Sequence, residues 1–343
     1  METSIISVDN NMDNKINYQQ AVDILTNGGV VAFPTETVYG LGALATDEQA
    51  VQKIFEAKGR PSDNPLIVHI GRQAEVANYA THITEDAEKL MDAYWPGPLT
   101  LVFDKIPGVI APNVTPGVET VGIRMPDHAV ALGLLRALGG PLAAPSANRS
   151  GKPSPTEAVH VFEDLEGLIQ LILDGGQTGI GVESTVLDMT TNPPTILRPG
   201  GTTQEMIEMI IGPVRAGSKG PGEQEAPRSP GMKYMHYAPE APLFVIAPDV
   251  LAIREAVDAL REEGKRVAVI GPDDIDIPAA DWYFAVGPRN NNEAMASHLY
   301  RAIRQCDLTD ADIILAVETD LSGVGAAVMN RLIKAADGKR YSN

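Results

Sequence analysis

Residues 213–231, PVRAGSKGPGEQEAPRSPG, combine proline, glycine and charge with no apolar period, and this break constrains the chain more than any other feature. Such a stretch cannot bury a helical stripe or a strand face, so it reads as a linker. It divides a 343-residue chain, for which length alone predicts about two domains, into one body at 15–212 and another at 241–343, with 213–240 as linker or lid. The apolar periods on either side agree with that division. On the N-terminal side, strand-like runs are predicted at 29–33, 66–70, 99–103, 120–124, 142–144, 171–173 and 185–189, and helices near 73–94, 127–138 and 156–166. A further helix is predicted over 46–58, where Thr46 and Gln49 have capping-box spacing. Residues 1–14 are polar and expected to fray. Beyond the linker, strands at 243–247, 266–271, 282–286 and 312–317 alternate with helices at 249–263, 292–305 and 324–336, the pattern of a small doubly wound α/β domain.

Charge narrows the function. The net charge of −18 argues against stable nucleic-acid binding, because such affinity comes largely from Lys and Arg neutralising phosphates. An anionic substrate remains compatible if a few cations cluster locally. One cysteine, Cys306, excludes a disulfide framework and a cysteine-based zinc site. The N-terminus lacks a signal-peptide pattern, and no apolar run approaches the ~18–20 residues of a membrane span, so a cytoplasmic protein is expected.

Polar residues then gather in a few segments. PTETVYGLG (34–42) follows a strand and reads as a hydroxyl-lined loop at a strand end, where open α/β sheets hold ligands; a plain β-turn is the alternative. KGRPSDNPL (58–66) sets Lys58 and Arg60 at a helix C-terminus, where the macrodipole favours a cation. Two prolines stiffen that loop, which suits a fixed Arg fork and the Asn64 amide aimed at phosphate. Strand alternation puts Ile67 and His69 on one face, with His69 open to either a structural or a functional role. In ETVGIRMPDH (119–128), Thr120, Gly122 and Arg124 share a face, and Arg124 either pairs with an internal acid or clamps a substrate carboxylate. PLAAPSANRSGKPSPT (141–156) offers Ser146, Asn148, Ser150 and Ser154 in a loop of small residues. DGGQTGIGVESTVLD (174–188) and ILRPG (196–200) contribute Ser184 and Arg198 but no Walker phosphate loop. SPGMKYMHYAP (229–239) ends the linker with Lys, Tyr and His residues, as a closing lid would.

Together with WPGPLT (95–100), APSAN (144–148) and GVEST (181–185), these segments resemble the threonylcarbamoyl-AMP synthases in their long form. The resemblance runs from about residue 15 to 240. It implies a YrdC-like twisted mixed sheet with flanking helices, followed by a small Rossmann-like doubly wound α/β domain. It implies a nucleotidyltransferase that condenses L-threonine, bicarbonate and ATP, with Mg²⁺ accompanying ATP, and that releases pyrophosphate. The product would feed threonylcarbamoyladenosine modification of tRNA, with the downstream threonylcarbamoyl transferase complex as a partner. Carried over by motif, Arg60, Asn64, Thr120, Ser146, Ser154, Arg198 and Tyr237 would bind ATP. Thr37, His69, Arg124, Ala144 (through its backbone) and Ser184 would bind threonine. Lys58, Arg60, Ser146 and Asn148 would form the catalytic tetrad, with no protein metal ligands. Gly122 stands where many relatives carry alanine. A carbamoyl-transferring hydrogenase-maturation protein shares the YrdC-like domain, but its zinc fingers need more than one cysteine. An RNA-binding module is the remaining alternative, and the acidic charge opposes it.

Overall fold

The computed structural model describes residues 1–8, 18–217, 236–275, 277 and 279–342. These fall into two compact units. The first is Met1–Ser150, Pro155–Gly179 and Glu183–Lys233; the second is Gly151–Ser154, Ile180–Val182 and Tyr234–Asn343.

The first unit runs β1 (Ser4–Ser7), α1 (Gln19–Thr26), β2 (Val31–Phe33), β3 (Gly40–Leu44), α2 (Glu48–Lys58), β4 (Ile67–His69), β5 (Ala80–Thr81), α3 (Glu85–Tyr94) and β6 (Leu99–Lys105). It continues through β7 (Thr120–Arg124), α4 (Ala129–Leu138), β8 (Leu142–Ala143), α5 (Ala158–Leu165), β9 (Leu171–Asp174), β10 (Thr185–Asp188), β11 (Thr195–Arg198), α6 (Gln204–Ile211) and β12 (Arg215–Ala216). The strands form one mixed sheet in the order β1-β9-β2-β3-β8-β4-β7-β6-β10-β11-β12, with β5 beside β6.

Period-2 alternation sends the two faces of this sheet to different covers. Ala32, Leu41, Ala43, Val68, Val121, Ile123, Leu101 and Leu187 point into a large core with α2, α3, α5 and α6. On the other face, Val31, Phe33, Leu142, Leu171 and Leu173 pack beneath α1 and α4. The rest of that face, over β4, β7, β6 and β10, carries a small cluster of Ile67, Val102 and Val186 with Leu197 against it, and among the described residues no helical hydrophobic joins this cluster. This part of the face also carries the polar residues His69, Arg124 and Thr100.

Several boundaries differ from the sequence reading. Of the N-terminal residues expected to fray, Ser4–Ser7 instead form β1, paired in parallel with β9, and 9–14 lie outside the described residues. The cap of α2 is Asp47, whose side chain accepts from the Gln49 and Ala50 amides, so Thr46 is not the capping residue. The stretch 73–94 is not one helix. A short 3₁₀ turn (Gln73–Asn78) and β5 precede α3, which is capped by Thr84. Gly40 and Gly42, expected in a loop, already lie in β3. The expected linker opens as structure, since Arg215–Ala216 pairs in parallel with β11. Most of its remainder, including 229–235 of the closing motif, lies outside the described residues.

The second unit contains β13 (Leu243–Ile246), α7 (Val250–Glu262), β14 (Val267–Gly271), β15 (Trp282–Ala285), α8 (Asn292–Asp307), β16 (Ile313–Val317) and α9 (Gly325–Ala335). Its strands are all parallel in the order β13-β16-β14-β15. Asp249 caps α7 and Asn291 caps α8, each accepting first-turn amides. Ile253, Ala256, Val257 and Leu260 of α7 pack on Val267, Val269, Leu315 and Val317. The α/β class is as predicted from the alternating periods.

Candidate active site

Register places the polar residues across neighbouring strands. His69 lies opposite Leu142 on one side and Arg124 on the other. Leu101 pairs with Ile123 across β6 and β7, so Thr100 follows beside Arg124. Thr100 is opposite Val186, which in turn is opposite Arg198. One rung of this part of the sheet therefore carries His69, Arg124, Thr100 and Arg198.

Arg124 is the centre of this rung. It is buried, and three groups hold its guanidinium: Nε donates to the Gly97 carbonyl at 3.2 Å, one terminal nitrogen donates to Thr37 Oγ1 at 2.9 Å, and the other pairs with Glu36. Thr37 belongs to a turn closed by Thr35, whose Oγ1 accepts the Thr37 and Val38 amides at 3.2 Å and donates to the Val38 carbonyl at 2.6 Å. With its only proton committed to Val38, Thr35 Oγ1 must accept from Thr37 Oγ1, 2.8 Å away. The hydroxyls thus run in one direction from Arg124 to the turn. The sequence left Arg124 with two roles, and the structure shows an internal acid and a cation at a strand end together.

His69 is buried, and its pKa falls from 6.5 to about 3. Desolvation is the main cause and the Arg124 charge adds to it, while the Ile67 and Leu142 carbonyls oppose the shift. The ring is neutral at physiological pH, with Nδ1 at 3.2 Å from the Ile67 carbonyl, and offers hydrogen bonds without charge. Ala144 is buried and its amide donates to the Ile67 carbonyl at 2.9 Å, bringing the start of the APSAN segment to β4.

A second group forms where α2 ends. The sequence explained one cation here by the helix dipole, yet Lys58 instead reaches into the APSAN loop. Its Nζ donates to the carbonyls of Ser146 and Asn148, and Asn148 Oδ1 lies 3.4 Å away. Ser146 Oγ donates to Asn148 Oδ1. Three members of the expected tetrad are therefore hydrogen-bonded together. Arg60, the fourth, is held by its own loop, with Nε at 3.4 Å from the Asn64 carbonyl and a terminal nitrogen at 3.1 Å from that of Pro65. Asn64 is buried with Oδ1 unmatched by any donor.

Arg198 and Ser184 form the third group. The Arg198 fork donates to the Ser184 carbonyl through Nε at 3.1 Å and a terminal nitrogen at 2.9 Å, and the latter also reaches Ser184 Oγ at 3.2 Å. Ser184 Oγ is 2.8 Å from Thr100 Oγ1. Thr120 begins β7, half-buried on the Gly122 side. Ser154 and Tyr237 are buried within the second unit, where Tyr237 stacks 5.1 Å from Tyr300 and lies 5.9 Å from the Arg331 guanidinium. Their assignment to ATP rests on the resemblance.

Sequence reasoning assigned no role to Glu36, Thr35, Gly97 or Thr100, although all four sit inside quoted motifs. The available signal was the density of polar residues in PTET and the strand parity of Thr100. Tyr39 of the same motif is structural: its hydroxyl donates to the Gly176 carbonyl at 2.7 Å and, being buried beside Asp174, is pushed well above its usual pKa.

A family model described as telomere recombination (Sua5_yciO_yrdC) matches residues 23–200, and one described as threonylcarbamoyl-AMP synthase, C-terminal domain, matches residues 202–337. The threonylcarbamoyl-AMP synthase of Bacillus subtilis is 50% identical over 321 residues, covering 93% of each chain. The chain belongs to the threonylcarbamoyl-AMP synthase family. The Pyrococcus abyssi threonylcarbamoyl-AMP synthase is 49% identical over 92% of this chain and 93% of its own. The crystal structure of P. abyssi Sua5 complexed with L-threonine superposes with a TM-score of 0.91 at 46% identity, covering 99% of this chain and 100% of that one. As a member of this synthase family the chain is an adenylyl-transferring enzyme of tRNA modification. No helix among the described residues is long and apolar enough to cross a membrane.

Proposed function

We propose that this chain makes L-threonylcarbamoyl-AMP from L-threonine, bicarbonate and ATP, releasing pyrophosphate, and that the product serves threonylcarbamoyladenosine formation on tRNA in the cytoplasm. One observation carries the reading: Arg124 is a buried cation at a strand end, flanked by Thr37 and the neutral His69, beside the small apolar cluster of Ile67, Val102 and Val186. In this reading the threonine carboxylate sits on Arg124, and the hydroxyls and His69 receive its polar groups. The amine, in its unprotonated form, attacks bicarbonate to give a carbamate, and water leaves. A carbamate oxygen then attacks the α-phosphate in line, and pyrophosphate departs.

Alignment and opposing positive charge supply most of the rate in such a displacement. Lys58 fixes the APSAN loop by gripping two of its carbonyls, so Ser146 and Asn148 are presented on a held backbone. Arg198 and Arg60 would face the phosphates, each with its fork partly set by backbone carbonyls. Among the described residues no three His, Cys, Asp or Glu side chains group as a metal site. Mg²⁺ would arrive with ATP, held mostly by phosphates and water. The downstream partner would be the transferase that moves the threonylcarbamoyl group to tRNA. The test is pyrophosphate release from ATP, measured with both threonine and bicarbonate and with each omitted. Release is expected only when both are present, and release independent of either one overturns the reading.

A further inference from the structure

Glu36 is the charged group nearest the centre of the site that the assigned set leaves out. Its side chain is 12% exposed and that of Arg124 is 5% exposed, and the two form an ion pair inside the first unit. Beyond that pair, neither Glu36 oxygen has a hydrogen-bond donor, and both are buried. A carboxylate removed from water normally collects several donors, so half-satisfied oxygens beside a ligand cation call for an explanation. The turn closed by Thr35 holds Glu36 between two anchored residues and fixes its backbone.

Arg124 has the complementary property. Gly97, Thr37 and Glu36 engage three of the roughly five N–H donors a guanidinium offers, which leaves donors for one more acceptor. A second carboxylate docking there would lie close to that of Glu36, and like charges in a buried site repel strongly. A ligand escapes this repulsion only by bringing its own cation. An α-amino acid does so, because its ammonium is one carbon away from its carboxylate. A buried Arg–Glu pair is the electrostatic mirror image of a zwitterion.

We propose that Glu36 is the residue that selects for the amino group of the substrate, accepting hydrogen bonds from its ammonium while the neighbouring carboxylate takes the remaining donors of Arg124. The inference rests on the reading of threonine as the substrate at Arg124. Glu36 makes the site discriminate against carboxylates that lack an amine. It also places the reacting nitrogen on a defined side of Arg124.

The test is calorimetric binding of L-threonine, 3-hydroxybutyrate (threonine without its amine) and N-acetyl-threonine to the full chain. Wild type is expected to prefer threonine to either analogue by about 100-fold, the scale of one charge-assisted contact made in place of a repulsion. In Glu36→Gln, threonine is expected to weaken by about 10–100-fold while 3-hydroxybutyrate tightens, because its competitor for Arg124 is gone. A purely structural Glu36 would weaken both ligands alike, and that result overturns the proposal. So does a wild-type preference below about threefold, which needs no variant and holds even if Glu36→Gln fails to fold. If wild type binds no threonine at all, the functional reading itself fails, an outcome separate from these.

Discussion

At the scale of single residues, the site depends on a few buried groups whose charge state is set by their surroundings. Arg124 presents a planar fork held at three points, which a lysine ammonium cannot reproduce. Arg124→Lys is expected to raise the threonine KM by about 30–100-fold, roughly 2–3 kcal/mol, with little change in ATP affinity. Steady-state kinetics with each substrate varied in turn checks this, and a loss confined to ATP would place the carboxylate elsewhere. His69 makes a prediction about pH. Its pKa in the folded state is depressed to about 3 by burial and then by Arg124, against about 6.5 in the unfolded chain. Below about pH 6.5 the unfolded chain therefore binds a proton that the folded one refuses, so the stabilising contribution present above that pH declines as pH falls toward about 3. Melting temperatures of wild type and His69→Gln, compared from pH 7.5 to 5, are expected to converge as pH falls. Parallel curves would mean that His69 is protonated equally in both states.

At the scale of elements, close backbone contact accounts for why GVEST and LRPG occur together. A Cβ on Gly200 would lie 2.2 Å from the Thr185 amide nitrogen and 2.3 Å from the Glu183 carbonyl oxygen, so the turn after β11 packs directly on the start of β10. No side chain can be admitted there without parting the two segments that carry Arg198 and Ser184. Gly200→Ala is expected to cost about 3 kcal/mol, a fall in Tm of roughly 6–12 °C, and to loosen nucleotide binding as well. Gly122 is the contrast. Its added Cβ would stand 3.2 Å from Thr100 Cγ2, which a shift of a few tenths of an ångström relieves. Gly122→Ala is accordingly expected to stay within about 1 kcal/mol of wild type. Thermal denaturation of the two variants side by side decides the matter, and equal losses would refute the close-packing account.

At the scale of the whole molecule, the net charge of −18 sets what the protein does not hold on to. The enzyme serves tRNA modification as a member of its family, yet its acidity opposes any stable grip on tRNA itself. A gel-shift titration at physiological salt is expected to show no submicromolar complex with tRNA, and a salt-sensitive one would overturn this.

Much of this was legible in the residues. Period-2 and period-3.6 patterns located most strands and helices, and the Pro- and Gly-rich break marked the change between the two α/β regions. Polar residues in glycine- and proline-rich segments drew attention to Ser146, Ser184 and Arg198, strand alternation to Arg124 and a helix end to Lys58, while Thr37 entered only through the family resemblance. What local pattern missed was decided by partners distant in sequence. The N-terminal residues Ser4–Ser7 are ordered only because β9 offers them an edge. Asp47 took the cap from Thr46 because its side chain reaches the first free amides of α2. Lys58 looked like a helix-end cation, but its ammonium found carbonyls nearly ninety positions away, at |i−j| of 88 and 90. Glu36 was visible as a letter and silent as a role. The chemistry available to this chain is therefore written in its side chains, since charge and hydroxyl content do not depend on folding. Which carboxylate faces which guanidinium, and which polar side chains share one rung of the sheet, follows from strand order, and strand order is a property of the assembled chain.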